Sequence, residues 1–415
     1  MANTIILPQL AWHGTKELKL PLPEDWQVET CNMAGYDRPR MKPAEIREAI
    51  ASPISMPPLS QYARGKREVV IIFDDMARVT RVAGIVPHVL EELAAAGIKD
   101  SQIRFIAACG CHQAMNRLDF VKKLGDDVLA RFPVYNHAPY GKCVYAGTTT
   151  SGIKLRINAE VMKCDLKIGI GSIVPHIMAG FGGGSKIVLP GVAAYGTIVA
   201  MHSPPVSSEK TGVKDTVTGM GNIDDNPRRR DINEVADIVG LDMKIDAVVN
   251  MWGETAAIFA GDPVPSYDAA LAEAKMHYLT PAAADKDIVI ANTFAKANEA
   301  ISGLLIAMPS VRKQGGDVVL IANAPEGQIT HYLMGPFGNT IGGQLRLQMK
   351  PTPNVNRIIV FSEYPELSSR NYLEDSERVL LVNSWDDVLK LLRESHGSGA
   401  QVAVYPNSDI QYSAV

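Results

Sequence analysis

Short, unbroken apolar runs that stop at polar residues recur along this chain, and they restrict what it can fold into. Residues 68–73 run into Asp74 and Asp75, residues 102–108 into Cys109, Gly110, Cys111 and His112, and residues 166–169 into a glycine-rich segment. Runs this short and this continuously apolar predict strands of a parallel sheet covered on both faces. Helical periodicity fills the gaps at 82–97, closed by Gly97, and at 116–132. Ligands of open α/β sheets collect at the carboxyl ends of strands, where the polar residues stand here.

The later chain repeats the pattern. A polar, glycine-containing stretch over 205–231 leads into a helix near 232–239, a hairpin of 246–250 with 256–259, and a helix near 267–277. Beyond an alanine-rich hinge at 281–284, strands are predicted at 287–291, 317–322, 357–361, 378–382 and 401–405, with helices at 298–313 and 385–394. At about 150 residues per domain, a chain of 415 makes more than one core. The expected fold class is α/β: two doubly wound α/β domains with the active site in the cleft between them. Residues 1–278 form the N-terminal catalytic and cofactor-binding domain of that reading, and 279–415 the C-terminal α/β domain. Proline-rich residues 1–60 read as an extended, loop-rich segment wrapping a domain, with strands at 3–7 and 17–20.

Composition narrows the function. A net charge of −4 gives no basic footprint for nucleic acid. No apolar stretch reaches the roughly 18 residues of a membrane span, and the start lacks a secretion signal. Five irregularly spaced cysteines make no disulfide framework, so a reducing cytoplasm is the expected setting. Cys109, Cys111 and His112 offer three metal donors on one turn. Zinc sites use wider cysteine spacing, however, and the thiols read as small packing residues beside a functional histidine.

Residues 169–202 are the densest chemistry, with His176, Lys186 and His202 around Gly182, Gly183 and Gly184. Three consecutive residues without Cβ let backbone N–H groups approach an anion, and Ser185 and Lys186 close the turn. A triphosphate P-loop needs glycine before the lysine and Ser or Thr after it; Ser185 and Ile187 stand there instead. Alone, the glycine run is equally readable as a tight loop.

With these motifs in order, the chain resembles the nickel-pincer-nucleotide lactate racemases and their 2-hydroxyacid racemase and epimerase relatives. The resemblance rests on Asp75 and Arg78 in FDDMARVT, Gly110-Cys111-His112, Pro175-His176, the 182–186 loop, Pro190-Gly191, His202, and Lys296 in NTFAKANEA. It implies a nickel-pincer nucleotide (pyridinium-3-thioamide-5-thiocarboxylic acid mononucleotide with Ni) joined to Lys186 as a thioamide, with His202 as the one protein ligand to nickel. Gly182, Gly183, Gly184 and Ser185 would then receive the cofactor, and Asp75 would orient Arg78 or a cofactor hydroxyl. His112 and His176 would be the acid–base pair on opposite faces of C2, taking and returning the hydroxyl proton as hydride leaves and returns. Arg78 and Lys296 would hold the carboxylate. Cofactor-maturation enzymes and a homo-oligomer are the implied partners, beside the small-molecule 2-hydroxyacid.

Two departures bear on substrate. Lactate racemases follow the His112 position with Arg, and this chain has Gln113. They place a Tyr-Gln pair ahead of the later lysine, where Asn292 and Thr293 stand here. Smaller or neutral groups favour a larger 2-hydroxyacid over lactate. The rival classes are a nicotinamide-dependent 2-hydroxyacid dehydrogenase and a non-catalytic ligand-binding homologue. No G-x-G-x-x-G follows a strand with an acidic residue about 20 positions on, which disfavours the first.

Overall fold

The structure is a computed structural model that describes residues 3–203, 219–335, 338 and 348–413. Residues 205–218 of the expected polar stretch lie outside the described residues. The strands in chain order are β1 (Asn3–Gln9), β2 (Lys16–Leu22), β3 (Gln27–Thr30), β4 (Val69–Asp74), β5 (Ile103–Ala108), β6 (Val134–Asn136), β7 (Cys143–Thr148), β8 (Lys154–Asn158) and β9 (Leu166–Ser172). They continue as β10 (Pro175–His176), β11 (Gly180–Phe181), β12 (Met243–Val249), β13 (Thr255–Gly261), β14 (Ile288–Asn292), β15 (Gly316–Ile321), β16 (Val355–Phe361), β17 (Val379–Val382) and β18 (Gln401–Tyr405).

The chain divides into two compact units, one of Arg38–Asn250 with Glu254–Lys275, the other of Met1–Asp37, Met251–Gly253 and Met276–Val415. A single cut at 278/279 therefore misplaces the first 37 residues. The reason is pairing: β3 joins the edge of the C-terminal sheet beside β18, in parallel. The first 37 residues of the wrapping segment thus supply a strand of that sheet and a hairpin, whereas the rest, with the helix Pro43–Ala51, belongs to the Arg38–Lys275 unit.

In the Arg38–Lys275 unit the sheet order is β13-β12-β9-β4-β5-β6. Every pairing is parallel except the edge strand β13, antiparallel to β12. All residues of β4, β9 and β12 are buried, as expected of central strands covered on both faces. The chain leaves β4 toward β5 and β6, then jumps back to β9 on the other side. The sheet's topological switch point thus falls between β4 and β9, where open α/β sheets place their ligands. The helix expected at 116–132 is broken at Gly125 into Arg117–Leu124 and Asp126–Arg131. Gly125 has φ 84, a conformation glycine tolerates and other residues avoid.

The other unit carries the order β17-β16-β15-β14-β18-β3. Alternate residues of its strands feed two cores. Val289, Ala291, Val318 and Leu320 pack with the helix Leu304–Ser310, whereas Ile288, Ile290, Val319 and Ile321 pack with the β1–β2 hairpin and the helix Trp385–Ser395. One layer is therefore helical and the other mixes a hairpin with a helix.

Candidate active site

Four strand ends build the site in the Arg38–Lys275 unit. β4 ends in two buried carboxylates with different tasks. Asp74 accepts from Thr80 Oγ1 and from the Ser172 N–H at 3.2 Å, and pairs with Lys123 Nζ at 2.7 Å. Lys123 is fully buried and also donates to the carbonyls of Arg78 and Thr80 at 2.7 and 3.3 Å. The Asp74–Lys123 pair so fixes the turn that carries Asp75 and Arg78. Asp75 Oδ1 accepts the Ala77 N–H at 3.0 Å, which leaves Oδ2 for His112 Nδ1 at 2.6 Å. The guanidinium of Arg78 donates to the Ala77 carbonyl at 2.6 Å.

The Asp75 contact sets the tautomer of His112. A carboxylate only accepts, so the ring proton is on Nδ1 and the Nε2 lone pair is a base whose protonated form Asp75 stabilises. His112 stands where it does because Gly110, at φ 53, turns the chain after β5 and donates to the Gly191 carbonyl at 2.9 Å. The Pro190-Gly191 motif thus buttresses the His112 turn. Cys109 and Cys111 are buried, and burial pushes both thiols up, Cys111 to about 12. They are packing residues.

His176 has the opposite arrangement. Its Nδ1 accepts the N–H groups of Met178 and Ala179 at 3.1 and 3.2 Å, so the neutral ring carries its proton on Nε2. That nitrogen faces Lys186 Nζ at 3.4 Å. A ring N–H opposite an amine is a hydrogen bond only when the amine is the free base, the nucleophilic form of lysine.

The glycine loop departs from expectation. The N–H of Gly184 donates to Asp246 Oδ2 at 2.9 Å, Gly182 N–H to the Val174 carbonyl at 2.7 Å, and Lys186 N–H to the Gly183 carbonyl at 3.3 Å. Those donors are already used inside the protein, one of them by a buried carboxylate, and do not form an anion cradle. Glycine is needed for space: Gly183 and Gly184 have φ 75 and 57, and a Cβ would stand 2.8 Å from Asp246 Oδ1 at the first and 2.7 Å from the Tyr267 ring at the second.

His202 ends the helix Tyr195–His202, with Nδ1 donating to the Ile198 carbonyl at 2.8 Å. Burial pulls its pKa down to about 4. The helix C-terminus favours a protonated histidine, but by about 0.3–1 kcal/mol, under one pH unit, and burial wins. The result is a neutral ring with its Nε2 lone pair uncommitted by the Ile198 bond, the form in which histidine ligates a metal. Among the described residues no group of three or more His, Cys, Asp and Glu could hold a metal.

In the other unit, Lys296 is buried, its Nζ 3.1 Å from Glu299 Oε2. Asn292 and Thr293 do not line a pocket. Asn292 accepts from Gln9 and donates to the carbonyls of Pro8 and Pro406 at 3.0 and 2.7 Å, and Thr293 donates to the Ile321 carbonyl at 2.7 Å; both are fully buried. They tie the end of β14 to its neighbours. Gln113, by contrast, is exposed.

Sequence reasoning also missed a buried polar hook at 406–412. Its Asp409 accepts the N–H groups of Phe294, at 3.0 Å, and Lys296. Burial pushes this carboxyl up to about 6, against the opposing influence of those donors and of Lys296. An unfolded aspartate titrates near 3.9, so the folded state holds the proton more tightly. The stability tied to this group is fullest below about pH 4 and is lost as pH rises through about 6, to the extent of roughly 3 kcal/mol. Asp409→Asn should therefore gain in melting temperature relative to wild type on going from about pH 4.5 to about pH 7.5. A difference in melting temperature that is constant across that range would refute the assignment.

Two doubly wound sheets with histidines and a lysine gathered at a switch point define an α/β enzyme. Residues 13–213 match the lactate racemase N-terminal domain model. The chain is 29% identical over 418 residues to the lactate racemase of Lactiplantibacillus plantarum, covering 92% of this chain and 95% of that one. It is 28% identical over 253 residues to that of Thermoanaerobacterium thermosaccharolyticum, covering 60% and 58%. The structure of the latter organism's lactate racemase apoprotein superposes with a TM-score of 0.74 at 21% identity over 100% of both chains. A Thermotoga maritima protein gives 0.65 at 18% identity, over 90% of this chain and 98% of that one. Residues 13–213 thus carry a lactate racemase N-terminal domain, and the chain as a whole is similar to lactate racemases.

Proposed function

We propose that this enzyme racemises or epimerises a 2-hydroxyacid at C2, with Lys186 carrying a nickel-pincer nucleotide and His202 ligating its nickel. One observation carries the reading: the Lys186 amine faces His176 Nε2 at 3.4 Å, and His202, its Nδ1 committed to the Ile198 carbonyl, keeps its Nε2 lone pair. The donor set fits such a group at the amine and the imidazole. The N–H groups of Gly182 and Gly184 are already taken, by the Val174 carbonyl and by Asp246.

When bound, the group supplies a hydride acceptor for C2, with nickel in a site for which imidazole is a suitable nitrogen donor. The protein's own residues handle the proton and the carboxylate. His112, with its proton on Nδ1, is preset to take the hydroxyl proton at Nε2, and His176 serves the opposite face, giving a proton when it is in the imidazolium form. The two rings exchange roles when the opposite enantiomer enters. Arg78 is the cation of the Arg38–Lys275 unit for the carboxylate. The test is isotopic: substrate deuterated at C2 should invert in ordinary water with its label retained. Label lost to solvent in step with inversion would indicate deprotonation at carbon and sink the reading.

For substrate we propose a 2-hydroxyacid larger than lactate. The burial of Asn292 and Thr293 removes them from this reading, which now rests on Gln113, exposed beside His112 where lactate racemases carry arginine. A panel of 2-hydroxyacids should show lactate to be a poor substrate. Lactate turning over fastest would end the claim.

A further inference from the structure

Beneath the loop that carries Lys186 lies a second set of buried charges, two of them aimed at loop backbone. Asp246 on β12 is fully buried and takes the Gly184 N–H on both oxygens, at 2.9 and 3.2 Å. Lys244, equally buried, neutralises it at 2.6 Å and donates to the Ile245 carbonyl at 2.7 Å. From the other side Arg229 donates to the Phe181 carbonyl and, at 3.5 Å, to the Gly182 carbonyl. Its guanidinium lies 4.5 Å from the centre of the Tyr267 ring, the same ring that leaves no space for a side chain at Gly184.

Arg229 is aimed by the start of its helix, Pro227–Val239. Asn226 caps that helix by accepting the N–H groups of Arg228 and Arg229, at 3.1 and 3.2 Å, and donates to the Met178 carbonyl at 3.1 Å. Met178 is one of the two residues whose N–H groups fix His176. Arg229 thus holds the loop, and its helix start holds the turn behind His176. Two of its guanidinium nitrogens, Nε and Nη1, are buried and have no hydrogen-bond partner among the described residues. Burying a cation so incompletely satisfied is costly, which a purely packing role would not favour over an apolar side chain.

We propose that Asp246 and Arg229 are positioning residues for Lys186: one clamps the loop by its Gly184 N–H, the other by the Phe181 and Gly182 carbonyls, and together they deliver the Lys186 amine to His176 Nε2 as the free base. The proposal deepens the reading of Lys186 as the reactive amine and rests on it for its functional meaning, but its test needs no cofactor. The full chain, made without the maturation enzymes, is treated at about pH 7 with a small amine-acylating reagent, and modification is followed by peptide mass mapping. Exposed Lys19 and Lys163 serve as references.

In Arg229→Met and Asp246→Ala the released amine should take the protonated form of an ordinary lysine, and acylation of Lys186 should slow about tenfold while the references are unchanged. Arg229→Lys, which keeps a cation, and Asp246→Asn, which keeps an acceptor for the Gly184 N–H, should give intermediate rates. Variants that melt cooperatively and acylate Lys186 at the wild-type rate or faster overturn the proposal. If Arg229→Met or Asp246→Ala does not fold, the conservative pair decides, and a wild-type rate in both overturns it equally. Failure of the tethering reading is separate: it shows as a wild-type chain without a covalent adduct after co-expression with maturation enzymes, whatever the acylation rates.

Discussion

Lys186→Ala, co-expressed with the cofactor-maturation enzymes, is expected to have the intact mass of its bare sequence, whereas the wild-type chain carries a covalent adduct. The expectation follows from one contact. His176 Nδ1 is occupied by two backbone N–H groups, so its Nε2–H points at the Lys186 amine and favours the unprotonated form. Only that form attacks an activated acyl or thioacyl carbon. His202→Ala should behave differently, retaining the adduct and losing nickel, because His202 offers a lone pair and no bond to the organic group. Metal content and mass measured on the same samples separate the roles. An adduct of unchanged mass in Lys186→Ala would sink the attachment, and full nickel in His202→Ala would sink the ligand assignment.

How far the sequence was readable depended on whether a residue's partner was near it in the chain. β4, β5 and β9 were legible because burial on both faces makes a strand continuously apolar. Their polar ends were legible too: Asp75, His112 and His176 stand just beyond β4 and β5 and at the short β10. The helix Tyr195–His202 was not, since Gly196 and the β-branched Thr197, Ile198 and Val199 weigh against a helix that only tertiary packing stabilises. Nothing in the sequence singles out Lys123 and Lys244; their partners, Asp74 and Asp246, show only in three dimensions. Asn292 misled for the opposite reason. It ends a strand, where ligands collect, yet the chain's N-terminal hairpin and C-terminal hook consume all its hydrogen bonds. In the glycine loop the N–H of Gly184 goes to Asp246, a buried carboxylate that leaves no trace in the local sequence.

His112→Asn and His176→Asn should each lower turnover by about 10² or more in both directions, the scale of a lost general acid or base. Asparagine suits both positions as a minimal change. At 112 its amide N–H still donates to Asp75 Oδ2, and at 176 its carbonyl still accepts from Met178 and Ala179, so both turns keep their anchors and only the working nitrogen is lost. The two variants should differ in one respect. His176→Asn removes the ring N–H that faces Lys186 and should also reduce adduct formation, whereas His112→Asn should leave the adduct intact and lose rate alone. Rates normalised to adduct content therefore separate proton transfer from cofactor loading. Near-normal normalised rates in both variants would make these packing histidines, and would leave the carboxylate of Asp75, paired to a ring at 2.6 Å, without a chemical purpose.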